Sequence, residues 1–454
     1  MPEPAANQTE RRSPNRLVAR DSVRADSEIG APPVAVAGCG AITAVGCGVE
    51  SLRAALRANT SGLRSDERFN HPRFQSSIVG AVGISSLSSL KGGEGRGEEA
   101  QLSQVQIPSP QPSPRLGGER EPEARRVRSG EADDPAFQLA DEALRQACVA
   151  SREILSKISS ERIGLVLSTT KANVEALERL SDGRPCSNAA RRHLQGDLLA
   201  ADLATMHGAL GPVQCVSAAC VSGLIAIQQG AKLIQRGAAD AVLVVGVDHL
   251  SAFVLAGFTA LKAIDPIGCR PFDRDRCGLS PGEAGAALVL VRADLAPHGS
   301  IKISGWGSSN DANHLTGPSR DGSGLALAIR SALGMAELPP SAIDYVNVHG
   351  TGTPYNDAME SLALQTIFGA TCPPFSGSKG MLGHTLGAAG VVETILCVLA
   401  MQEKILPGTP RLSAAAEGVP ASVVLTPRPT TKLNCVLKLN TGFGGLNGAL
   451  ILHS

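Results

Sequence analysis

The sequence predicts an α/β protein built around a mostly parallel sheet, and three observations carry that reading. Residues 241–247 read AVLVVGV, a continuous apolar run of strand length. A strand covered by helices on both faces needs such a run, whereas a strand with one wet face would alternate. Shorter runs of the same kind recur at 163–168, 287–291, 345–348, 435–439 and 449–452. Segments with helical spacing lie between them, so strands and helices alternate along most of the chain.

Taken in order, residues 1–32 are polar and aperiodic. They offer too little apolar surface to offset the entropy of ordering and are read as a disordered leader. Order is expected to begin at Val34 with a short strand running into Gly38-Cys39-Gly40, followed by an amphipathic segment near Val49 to Leu56. Residues 91–130 break the composition, with 13 charged side chains, 7 Gly and 5 Pro in 40 residues. The run PSPQPSP within them can continue neither a helix nor a central strand, so a flexible insertion is expected over about 85–131. From Asp134 the pattern is regular, with a helix over 137–148 and a buried strand over 163–168. Residues 212–234 read as strand, corner and helix, where Leu224, Ile227, Ala231 and Ile234 mark one buried helical face. No clean internal repeat is visible. The spacing suits two α/β halves, 33–265 with the insertion inside it and 266–454.

Composition excludes several functions. Forty-two basic residues balance 42 acidic ones, and 9 Phe, 2 Tyr and 1 Trp are too few for a base-stacking surface. No nucleic-acid partner is therefore expected. No uninterrupted apolar stretch approaches the roughly 18 residues of a membrane span. The N-terminus lacks the regions of a secretory signal, and Glu3, Glu10, Asp21, Asp26 and Glu28 argue against a transit peptide. Eleven cysteines, odd in number and without a CxxC pair, read as reduced thiols and not as a disulfide framework or zinc site. A soluble cytoplasmic enzyme without a metal is expected.

Four segments carry candidate chemistry. Cys220 stands immediately before a helix, where the macrodipole and unpaired N–H groups favour thiolate, and Ser217, Ala218, Ala219, Ser222 and Gly223 leave room for a substrate. Taken alone it is also one of eleven thiols, most of them in apolar context. His349 ends a short strand and is followed by Gly350-Thr351-Gly352-Thr353, in the position where open α/β sheets place ligands. Lys379 and His384 lie in SGSKGMLGHTLGAAG (376–390), which by itself reads equally as a glycine-rich connection. Thr441-Gly442-Phe443-Gly444-Gly445 is a flexible run around one aromatic. Neither a GxxxxGK[ST] nor a GxGxxG phosphate loop is present. One Cys and two His, each at a strand end or glycine loop, fit nucleophilic acyl transfer.

In this order the segments resemble the elongating β-ketoacyl-[acyl-carrier-protein] synthases of the thiolase-like superfamily. GCGAITAVGCGVESLRAAL (38–56) is similar to the family's opening, CRPFDRDRCGLSPGEAGAALVL (269–290) to its central segment, and HGTGTPYND, SKGMLGHTLGAAG and GFGG to its later motifs. The resemblance implies two similar halves in a five-layered α-β-α-β-α arrangement. It makes Cys220 the nucleophile, His349 and His384 the active-site histidines, Lys379 the family's lysine and Glu360 its acidic partner. Thr351 and Thr353 support the site, Phe443 is a gate, and the Cys220 and Phe443 N–H groups are the expected oxyanion hole. It implies no metal or dissociable cofactor, because the substrate travels on the phosphopantetheine of an acyl carrier protein. It also implies a homodimer, or a heterodimer with a related ketosynthase. The reaction would be decarboxylative condensation with malonyl carrier protein in fatty-acid or polyketide and polyene biosynthesis. A chain-length-factor-like partner without catalysis, and a thiolase or acyltransferase acting on CoA esters, are the alternatives. Departures at Arg276-Cys277-Gly278-Leu279, Leu382, Asn440 and Thr441 imply a specialised subgroup.

Overall fold

A computed structural model describes residues 32–82 and 133–454. The expected insertion, and all but the last residue of the expected leader, lie outside the described residues. Two-residue strands aside, five strands come first among the described residues: β1 (Val34–Thr43), β2 (Ile163–Ser168), β3 (Val213–Val216), β4 (Ala241–Asp248) and β5 (Ala284–Arg292). They stand side by side in the order β3-β2-β4-β5-β1. Five more follow: β6 (Lys302–Asn310), β7 (Tyr345–Val348), β8 (Phe375–Gly377), β9 (Cys435–Gly442) and β10 (Leu446–His453). Their order is β8-β7-β9-β10-β6, so each takes the place of the strand five before it.

Direction repeats as well as order. β2 is parallel to β3 and β4, β7 is parallel to β8 and β9, and the remaining pairs are antiparallel. The sheet is therefore mixed and not mostly parallel as the sequence predicts; antiparallel strands buried on both faces carry the same continuous apolar runs. The two sets join where Val34 and Ala35 pair with Ile303 and Lys302. The repeat that the residues hide is thus plain in the topology. It also corrects a boundary. β5 lies beyond residue 265, yet it pairs between β1 and β4, so strand membership changes between Arg292 and Lys302.

The helices that matter are α1 (Val49–Ala58), α2 (Pro135–Ala150), α3 (Gly196–Met206), α4 (Ser222–Gln235), α5 (Ala252–Ala260), α6 (Ser323–Met335), α7 (Pro354–Phe368) and α8 (Ala389–Glu403). Three apolar clusters sort the main ones. α2 and α3 cover the outer face of the first strand set, and α6 and α7 that of the second. α4 and α8 fill the space between the sets, which completes five layers. Leu224, Ile227, Ala231 and Ile234 are fully buried, as their spacing predicts. α8 is buried nearly all round, which is why its sequence is apolar all round. Leu386–Glu403 has the length and hydropathy to cross a membrane by composition alone, but 89% of that window is buried inside the molecule.

The two central helices touch through backbone. A Cβ built on Gly390 would lie 2.3 Å from the Leu224 nitrogen, and one on Gly223 would lie 2.8 Å from the Gly390 nitrogen. The glycines of the GAAG run therefore serve a close crossing. That crossing draws the start of α4, with Cys220, toward the loop before α8, with His384. Gly390→Ala forces the helices apart and is expected to cost about 1–3 kcal/mol. A urea titration with an unchanged midpoint would contradict this.

Candidate active site

Between β3 and α4 the chain turns a tight corner. Ala219 adopts φ 47°, a left-handed conformation uncommon for a residue with a Cβ. The Ser222 hydroxyl holds the corner, accepting from the Ala218 N–H at 2.8 Å and donating to the Ala219 carbonyl at 2.5 Å. Cys220 is thereby presented at the floor of a cavity of about 490 Å³ whose walls include His349, His384, Thr351, Thr353, Phe258 and Phe443. Its Sγ lies 2.9 Å from His384 Nε2, and the Phe443 N–H is directed at the sulfur.

The expectation of a resting thiolate is corrected here. Burial pushes the Cys220 thiol up, Lys379 pulls it down and Asp248 pushes it up again, leaving it at about 12. A helix terminus is worth about 0.3–1 kcal/mol, too little to offset removal of the sulfur from water. Cys220 is a thiol at rest, with an imidazole in position to take its proton.

His349 follows β7, and the positive φ of Gly350 (53°) and Gly352 (76°) curls the next residues back. Lys379 Nζ at 3.1 Å and Asn440 Nδ2 at 2.9 Å both face its Nδ1. Its ring is edge-on to His384, with centroids 5.1 Å apart. Burial, and after it Lys379, holds both histidines well below the usual imidazole range, so both are neutral near pH 7. His384 is pinned by its backbone, donating to the Ser280 carbonyl at 2.7 Å and accepting from the Gly282 N–H at 2.9 Å. Thr351 and Thr353 place their hydroxyls 2.9 Å apart on the cavity wall. Phe443, half-buried, tilts against Phe258 with ring centroids 6.0 Å apart.

Glu360 is not the partner of Lys379, which corrects a second expectation. It accepts the His349 and Gly350 N–H groups at 2.7 Å each and Asn356 Nδ2 at 2.8 Å. Burial, reinforced by Asp357, pushes its carboxyl up to about 7. The carboxylate that pairs with Lys379 is Glu393 of α8, at 2.8 Å, and it pairs equally closely with Lys438 of β9. Burial alone would raise the Glu393 carboxyl, but the two lysines hold it at about 2.

Glu393, Lys438 and Asn440 are the site residues that motif reading misses. For the first two the signal is a charge in the wrong company: one Glu inside VVETILCVLAM and one Lys inside CVLKLN. A charge in a run that otherwise reads as fully buried must be paired.

Cys220, His349 and His384 also form a group, among the described residues, whose donor atoms lie within 4.8 Å of one another, close enough to hold a metal ion. Lys379, at 3.1 Å from His349 Nδ1, opposes a cation there. The arrangement supplies a thiol, a proton acceptor beside it, a second imidazole opposite, and the Phe443 backbone N–H at the sulfur. That set suits acyl transfer through a covalent thioester.

Comparison with known proteins agrees with this chemistry. Residues 110–296 match the β-ketoacyl synthase N-terminal domain and residues 301–413 the β-ketoacyl synthase C-terminal domain. The chain is 31% identical to 3-oxoacyl-[acyl-carrier-protein] synthase 2 of Vibrio cholerae over 92% of its own length and 98% of that protein. It is 33% identical to the tetracenomycin polyketide synthase ketoacyl synthase alpha subunit of Streptomyces glaucescens, over 70% of this chain and 81% of that one. Among solved structures it superposes on the ishigamide ketosynthase/chain length factor with TM-score 0.79 and 27% identity, covering 94% of this chain and 100% of that one. A ketosynthase from Xenorhabdus doucetiae in complex with its chain length factor gives 0.73 and 28%, covering 93% and 98%.

Proposed function

The chain belongs to the β-ketoacyl synthase family, and from that premise we propose that it condenses a Cys220-bound acyl group with malonyl carrier protein. The observation that carries the reading is the 2.9 Å approach of His384 Nε2 to Cys220 Sγ, with His349 opposite, at the floor of one cavity.

In the first half-reaction Cys220 sulfur attacks the thioester carbonyl of an acyl chain carried on phosphopantetheine. His384 Nε2 takes the thiol proton and returns it to the departing carrier thiolate. The Cys220 and Phe443 N–H groups hold the oxyanion, and Thr351 and Thr353 line the path of the arm. In the second, the bond from the malonyl α-carbon to its carboxylate breaks and CO2 leaves. The electron pair stays on the α-carbon as an enolate, whose oxygen receives a hydrogen bond from the Nε2–H of the His349 imidazole. Donors placed where charge develops lower such a barrier most effectively. The α-carbon then attacks the acyl carbonyl, the bond to Cys220 breaks, and the thiolate takes up one proton.

The partners are an acyl carrier protein and a second chain of ketosynthase fold, as a homodimer or as a heterodimer like that of the Xenorhabdus ketosynthase. The pathway is fatty-acid or polyketide biosynthesis.

Incubation with acyl and malonyl carrier proteins is expected to release CO2 and a 3-oxoacyl carrier two carbons longer. His349→Ala is expected to slow decarboxylation by about 10²–10³ while Cys220 still acquires the acyl group. Condensation of CoA esters with no decarboxylation of malonyl carrier would replace this reading with a thiolase-type one.

A further inference from the structure

We propose that Asn440 is a positioning residue that, together with Lys379, keeps the proton of His349 on Nε2, so that the imidazole presents a donor to the cavity. The proposal rests on the condensation reading and adds to it the device that sets one histidine's tautomer. Lys438 and Asn440 alternate along β9, while Leu437 and Leu439 between and before them face the outer apolar cluster. The polar pair therefore points to the α8 side, where Glu393 lies.

Glu393 receives four donors. Lys379 Nζ at 2.8 Å and Ser378 Oγ at 3.0 Å reach Oε1, while Lys438 Nζ at 2.8 Å and Asn440 Nδ2 at 2.9 Å reach Oε2. An ionised carboxylate only accepts, so the amide nitrogen of Asn440, not its oxygen, must face Oε2. That nitrogen carries two hydrogens. One goes to Glu393 and the other to His349 Nδ1 at 2.9 Å.

Lys379 approaches the same Nδ1 at 3.1 Å and donates to the His349 carbonyl at 2.6 Å. A ring nitrogen met by two donors must offer its lone pair. A neutral imidazole has one N–H, which is then on Nε2, the nitrogen left for the cavity that His349 lines. A donor there stabilises enolate oxygen, whereas a lone pair would repel it. Acyl transfer to Cys220 uses His384 and is indifferent to this tautomer.

The test uses the full-length protein. Asn440→Asp turns a donor into an acceptor and draws the His349 proton to Nδ1, and Asn440→Leu removes the donor but leaves Lys379. Histidine-selective ¹⁵N NMR should show Nε2–H in the wild type and in Asn440→Leu, and Nδ1–H in Asn440→Asp. Malonyl-carrier decarboxylation should fall about 100-fold in Asn440→Asp and less than about tenfold in Asn440→Leu. Acylation of Cys220, read by intact mass, should stay within about twofold in both. Retention of Nε2–H in Asn440→Asp, or a parallel fall of both half-reactions in the two variants, overturns the proposal. Failure of the wild type to acylate Cys220 would instead overturn the condensation reading, leaving the tautomer measurement to stand separately.

Discussion

Cys220→Ala is expected to take up no acyl group and to lower condensation by about four orders of magnitude or more, while malonyl carrier is still decarboxylated. The two effects separate because the site has two parts. The sulfur is needed to hold the acyl chain, and its replacement removes the covalent step outright. The enolate is stabilised by His349, whose ring stays in place through Lys379 and Asn440, while His384 is held by its backbone bonds. Removing the thiol also removes the 2.9 Å contact with His384 but leaves that backbone anchoring intact. Carbon dioxide release measured beside intact enzyme mass checks both halves. Loss of decarboxylation in step with loss of acylation would mean that the site is not divided in this way.

Glu393→Ala is expected to have the largest effect on stability, about 3–5 kcal/mol, because it strands two fully buried ammonium groups. It would cost activity too, since Lys379 and Asn440 take their positions at His349 from this carboxylate. The pH dependence has a definite sign. The folded carboxyl titrates at about 2 and the unfolded one near 4.5, so the contribution is complete above 4.5 and is lost as pH falls through 2. Glu393→Gln should therefore flatten the acid limb of the stability curve between those values. Acid unfolding of the variant that overlays the wild type would show that Glu393 is not held ionised by the lysines.

Much of this was legible in the residues, and the reasons are physical. Strands buried on both faces announce themselves, so 163–168 is found to the residue and 241–247 extends only to Asp248. The helix predicted over 137–148 spans Pro135–Ala150, with Asp134 capping it through the Phe137 N–H. β6 gave no such signal, because KISGWGSSN has a partly exposed, glycine-rich pattern that also lets α6 approach closely. Without β6 the repeat could not be counted, and the boundary between the halves fell too early. Cys220, His349, His384 and Lys379 sit in short motifs whose glycines and hydroxyls mark them. Glu393, Lys438 and Asn440 come from α8 and β9, distant in sequence, and meet only through the close packing of the central layer. For the same reason nothing in the sequence shows that the carboxylate of Glu360, eleven residues after His349, binds the His349 and Gly350 backbone and not Lys379.

The most direct test of the central claim is to incubate the purified wild-type protein with an acyl carrier protein bearing a defined acyl chain, then digest it and locate the added mass. Two thiols, Cys220 and Cys277, line the cavity, so the measurement has a built-in comparison. Acyl mass on the peptide containing Cys220 alone is the predicted result, with transfer from that peptide to malonyl carrier on its addition. Acyl mass on Cys277, or a product formed with neither thiol ever acylated, would contradict the assignment of Cys220 as the nucleophile.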